Sequence, residues 1–126
     1  MSRPDSLAIL RLLRRSELEA ARQQAAAVFD RRQKAEHAVS TLAGALSGER
    51  RSAEPDSYAV WIPAAQARLD VLTGHLREQE AAAVAAQQRL VATKLAEQVI
   101  MDEQQRRKQA ARRQRIARDQ RLLDDL

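Results

Sequence analysis

This chain of 126 residues has no cysteine, and it holds only three aromatic residues, three glycines and three prolines. Without cysteine there are no disulfides and no thiolate-ligated metal. One each of Phe, Tyr and Trp is too few large side chains for a compact globule, because ordering a chain costs backbone and side-chain entropy that burial must offset. No apolar run reaches the roughly 20 residues of a membrane-spanning helix. The opening residues Met1-Ser2-Arg3-Pro4-Asp5-Ser6 lack the apolar centre of a signal peptide, so the expected location is the cytoplasm.

Alanine, arginine, glutamine and leucine fill the space left by these absences. Alanine accounts for much of the 44% hydrophobic content, and 31% of residues are charged. Such a composition points to long helices and coiled coil. The net charge of +5 is unevenly placed. Between Arg106 and Arg121 stand eight basic residues (Arg106, Arg107, Lys108, Arg112, Arg113, Arg115, Arg118, Arg121) against one acid, Asp119. The remainder is nearly balanced, so the basic character belongs to one end.

Helix-breaking residues gather in one place, from Gly48 to Pro55. Gly48 can end a helix, Pro55 cannot continue one, and Asp56 or Ser57 can cap the next. The expected class is all-α: two long helices in an antiparallel coiled-coil hairpin. The first covers about 6–47 with Asp5-Ser6 as its cap, the turn about 48–57, and the second about 58–122. Pro63 is tolerated if the second helix begins close to it and kinks that helix otherwise. Gly74 weakens the helix by about 1 kcal/mol relative to alanine.

Both helices carry a seam in sevens. In the first, one row is Leu7, Arg14, Ala21, Val28, Ala35, Leu42, and the other is Arg11, Leu18, Ala25, Arg32, Val39, Leu46. In the second the rows are Ile62, Leu69, Leu76, Ala83, Leu90, Glu97 and Ala65, Leu72, Gln79, Ala86, Thr93, Ile100. Alternating steps of four and three make a coiled-coil stripe. A simple antiparallel register sets Leu7 against Ile100, Leu18 against Leu90 and Leu46 against Ile62, and pairs Arg11 with Glu97. Leu10, Leu12 and Leu13 lie partly off the seam and widen the apolar surface at the start. The second helix then overhangs the first from Asp102 onward, and its basic end has too few apolar residues for a core of its own.

Catalytic patterns are missing, and the chain reads as a non-enzyme with no cofactor and no small-molecule substrate. His37 and His75 are surface-type residues on different helices, and two histidines alone make a poor metal site. Gly44 and Gly48 lack the lysine and the strand context of a phosphate-binding loop. The basic end reads as a solvated face or as a docking segment for an acidic or annular protein. Nucleic acid is a weaker reading, since no aromatic residue interleaves the arginines for base stacking. Tyr58 and Trp61, three residues apart on one helical face, either close the tip of the hairpin over Leu42 and Leu46 or form an interface there.

The order of these features resembles the FliJ family of bacterial flagellar export proteins and the related YscO-type stalks of type III secretion. The likeness runs from the start Ser6-Leu7-Ala8-Ile9-Leu10-Arg11-Leu12-Leu13-Arg14-Arg15-Ser16-Glu17, through Ala35-Glu36 and Leu42, to Tyr58, Trp61, Ala65 and Leu69. It closes on the Gln/Arg/Lys-rich helix and Asp124-Asp125. The resemblance implies a hairpin similar to the γ subunit of rotary ATPases, set in the centre of an export ATPase hexamer. It further implies help in assembling that hexamer, a link to the export gate in the membrane, and escort of export chaperones. By the same likeness, Leu7, Leu10, Leu13, Arg106, Arg107, Arg112, Arg113, Arg115 and Ile116 would face the ATPase. Leu42, Tyr58, Trp61 and Ile62 would face the gate, and the protein would sit in the cytoplasm at the periphery of the membrane export apparatus. Ala38, Ala45 and Ala65 depart from the larger or polar residues of the family's tip. A general coiled-coil adaptor or chaperone is the alternative, and a basic helical nucleic-acid-binding protein a lesser one.

Overall fold

In the computed structural model, backbone is described for residues 5–52 and 55–126, and side chains for 5–48 and 60–126. Two helices make up the fold: α1, Ser6–Ser52, and α2, Pro55–Asp124. They pack against each other as an all-α hairpin, with no strand among the described residues. By contact the chain divides into two units. One joins residues 1–20 to 90–126, and the other is the continuous stretch 21–89.

The expected cap at the start of α1 is present. Asp5 Oδ1 accepts a hydrogen bond from the backbone N–H of Leu7 at 3.1 Å, and the Asp5 carbonyl accepts from Ile9 at 3.1 Å. A short carboxylate here satisfies one of the amides that a helix start leaves without an intrahelical partner. The other end of α1 departs from expectation. Gly48 lies within the helix with no positive φ, and α1 continues to Ser52. Glu49, Arg50 and Arg51 are good helix formers, and an interior glycine costs only about 1 kcal/mol. Pro55 begins α2, where its missing N–H removes nothing. Asp56 and Ser57 therefore lie inside α2 rather than before it. Pro63 is interior to α2 and withholds one amide from the ladder.

The predicted seam is the buried face. In α1 the buried apolar residues are Leu7, Leu18, Ala21, Ala25, Val28, Ala35 and Leu46; in α2 they are Ala65, Ala83 and Ala86. Every one stands on a predicted row. All other row positions are half-buried except Arg32, which is exposed. Thr93, a polar seam residue, turns its hydroxyl back to the Leu90 carbonyl at 2.9 Å. No buried side-chain polar atom among the described residues lacks a partner.

In the unit spanning 21–89 the buried side chains are mostly alanine. Small side chains allow helix backbones to approach closely, and they bury little area each. In the unit joining 1–20 to 90–126 the buried residues are Leu7 and Leu18. Among the described residues only the small Ala21, at 1%, falls below 2% exposure, and no large side chain does. The hairpin is thus held by many modest contacts rather than by a few deep anchors.

The register differs from the simple one. Arg11 donates from Nη1 to Gln104 Oε1 at 2.8 Å, seven residues beyond the Glu97 expected to pair with it. Leu7 shares a cleft with Gln104, Lys108 and Ala111 rather than facing Ile100. In the other unit, Arg89 donates to Gln24 at 2.7 Å. Sliding one heptad row along another by seven residues, about two turns, keeps row on row, so hydrophobic pattern alone leaves this choice open.

Candidate functional site

The new register moves the boundary of the overhang. Arg107, Lys108 and Ala111 line a cleft with Asp5, Leu7 and Arg11, so α2 is still beside α1 at Ala111 and not only up to Asp102. Past Ala111 the helix continues to Asp124 with no neighbouring helix among the described residues, and only Ala117 is half-buried. This arm carries Arg112, Arg113, Arg115, Arg118 and Arg121 against Asp119 and Asp124. At about 100° per residue these five arginines are spread around the axis with no gap wider than about 100°. The arm has cations on every side.

The residues assigned to an ATPase contact separate into two groups. Leu7 is buried in the seam and Leu10 half-buried, whereas Leu13 is 52% exposed. Arg106 and Arg107 lie on the paired part of α2, where both reach Glu103 at 3.4 and 3.3 Å. All three side chains are substantially exposed, so these pairs add little stability. Arg112, Arg113, Arg115 and Ile116 lie on the arm and are exposed. Ile9, 54% exposed, and Leu12, at 66%, are outside the residues assigned to the ATPase contact, although Leu12 belongs to the spare apolar surface expected there. Their exposure follows from the seam period: Ile9 falls on the side of α1 turned away from Leu7 and Leu18, and Leu12 on its flank.

At the tip, Trp61 is 37% exposed and Ile62 half-buried, while Leu42 is half-buried and Leu46 buried. The Tyr58 side chain lies outside the described residues. Counting equal steps from the Arg89–Gln24 bond brings Leu42 level with Val71, about 14 Å along α2 from Ile62 at 1.5 Å per residue.

His37 and His75 are both exposed. His37 lines a shallow cleft with Asp30, Lys34 and Glu36, a mixed-charge surface in which Lys34 pairs with Asp30 at 3.0 Å. Among the described residues there is no group of three or more His, Cys, Asp or Glu placed to hold a metal ion. Nor is any helix there long and apolar enough to cross a membrane. A further notch, formed by Phe29, Arg32, Ala83, Val84 and the Gln87-Gln88 pair, keeps Phe29 38% exposed.

Comparison with family models, with curated proteins and with solved structures finds no match for this chain.

Proposed function

We propose that the chain is a non-enzymatic stalk of a flagellar or type III export apparatus. In this reading the hairpin docks through its open end in an export ATPase hexamer, promotes assembly and activity of that ring, and couples it to the export gate. The observation that carries the reading is the arm beyond Ala111, a helix without a neighbouring helix among the described residues and with arginines on all sides. A helix lying on a flat surface engages one face and leaves the remaining cations in water. Enclosure by an acidic annular partner engages them all, and Coulomb attraction grows as water is excluded. Two copies of the arm repel each other, so the complement of the arm is acidic.

The paired helices add stiffness, which suits a lever that biases subunits of a ring. Leu13 and Ile116 offer exposed apolar contact beside the cations. Trp61 and Ile62 offer a patch for the gate at the other end of the reading, and escort of export chaperones uses the remaining hairpin surface. The protein works at the periphery of the membrane export apparatus.

The test is ATP hydrolysis by an export ATPase of this type, with the full chain and with an Arg112→Glu, Arg113→Glu, Arg115→Glu variant. The intact chain is expected to raise the hydrolysis rate and the variant to leave it at the basal level. An intact chain that neither binds nor stimulates the ATPase removes the stalk reading and leaves a coiled-coil adaptor in its place.

A further inference from the structure

Two clefts adjoin along one side of the unit that joins residues 1–20 to 90–126. The first, of about 310 Å³, brings Arg11, Arg107 and Lys108 around Leu7 and Ala111. The second, of about 340 Å³, is formed by Ala8, Arg11, Leu12 and Arg15 with Gln104. Arg11 and Gln104 belong to both, and their 2.8 Å hydrogen bond forms the bridge between them. Together they make one groove between α1 and α2. From Asp5 to Arg15 it follows α1 for about 15 Å at 1.5 Å per residue, close to three helical turns.

The charge of this groove is one-sided. It holds four cations (Arg11, Arg15, Arg107 and Lys108) and one acid, Asp5. One Asp5 carboxylate oxygen is engaged by the Leu7 amide. Arg107 is partly neutralised by Glu103 at 3.3 Å. Arg11 donates to a neutral amide oxygen, so its charge is not balanced by that bond. Arg15 and Lys108 make no ion pair among the described residues. Beside Arg11 and Arg15, on the outer lip of the groove, run Ala8 and Leu12, four residues apart and so neighbours on one face of α1. Leu12 is 66% exposed.

We propose that this groove seats an acidic amphipathic helix of a partner protein. Carboxylates spaced one turn apart on such a helix reach Arg11, Arg15 and Lys108, and an apolar side chain beside them covers Leu12 and Ala8. The aliphatic strip decides the class of partner. A phosphate backbone would neutralise the cations but leave Leu12 against water, and a flat lipid surface does not enter a groove between two helices. Leu7 and Arg107 of this groove also belong to the residues assigned to the ATPase contact, whereas Arg11, Arg15 and Lys108 do not; a binding test without any ATPase therefore separates this inference from the stalk reading.

A fluorescent helical peptide of about 18 residues tests it, with Leu on one face and Glu flanking at one-turn spacing, beside a matched peptide carrying Gln for Glu. Anisotropy is read with the full chain at about 0.15 M salt, where surface charges are already partly screened. The Glu peptide is expected to bind, and the Gln peptide to bind at least about tenfold more weakly. The double variant Arg15→Glu, Lys108→Glu is expected to lose at least about tenfold in affinity at unchanged helicity by circular dichroism. Arg77→Glu, an exposed cation of the unit spanning 21–89 and outside every assigned contact, should change it by less than about threefold. The proposal is overturned if the double variant binds like the parent, if Arg77→Glu costs as much, or if the Gln peptide binds equally well. It is overturned too if anionic vesicles or a short duplex RNA, but not the Glu peptide, bind through Arg15 and Lys108.

Discussion

Two stretches of α2 share one continuous backbone and differ in what holds them. From Ile62 to Ile100 the helix presents a seam to α1, with Ala65, Ala83 and Ala86 buried and the other row positions half-buried. From Arg112 to Asp124 no helix is beside it among the described residues, and only Ala117 is half-buried. The seam stretch tolerates Pro63 and Gly74, each unfavourable in a helix interior, because packing offsets them. The arm contains no glycine and no proline; Arg, Gln, Ala and Leu, all strong helix formers, dominate it. Packing supports imperfect local sequence, whereas a segment without packing relies on propensity.

The comparison breaks most sharply at Leu18, which is 4% exposed. Leu18→Ala is expected to cost about 2–4 kcal/mol and to lower the thermal midpoint followed by circular dichroism. The corresponding change at Leu122, 66% exposed, should stay within about 0.5 kcal/mol. Equal losses at the two sites would mean that the seam is not what stabilises the hairpin.

A gain comes next. Gly74 is exposed, has no positive φ, and a Cβ built on it meets nothing within 4 Å. Gly74→Ala should therefore stabilise by about 1 kcal/mol, seen as a higher urea midpoint with unchanged slope. A neutral or destabilising result would show that the helix is bent or locally open at that turn.

The smallest effect sharpens the boundary between seam and arm. Glu103 meets both Arg106 and Arg107, and the three side chains are 37%, 77% and 61% exposed. Glu103→Gln should change stability by less than about 0.5 kcal/mol. A larger loss would make this charge cluster a structural clasp at the end of the paired region.

Much of this was legible in the residues. The cap at Asp5 followed from a short carboxylate before an apolar-periodic run, and it is present as a bond to Leu7. The rows of sevens contain every buried apolar residue among those described. Less legible was the tip: Gly48 was expected to stop α1, yet the helix passes through it to Ser52, since a glycine permits a left-handed end without requiring one. The docking groove was hidden as well. Leu12 was visible as spare apolar surface, but nothing in the spacing of Arg11 and Arg15 indicated that Lys108 would join them.

The chain's own pattern determined that there are two helices, which face of each is buried, and that one end is basic, because these depend on the period of 3.6 residues and on local composition. Only the tertiary structure decided the register. The seam is rich in alanine and repeats every seven residues, so a slip of one heptad exchanges one small apolar neighbour for another at little cost. The Arg11–Gln104 and Arg89–Gln24 bonds mark the alignment that the structure adopts. That alignment sets where the arm begins and which cations share a groove.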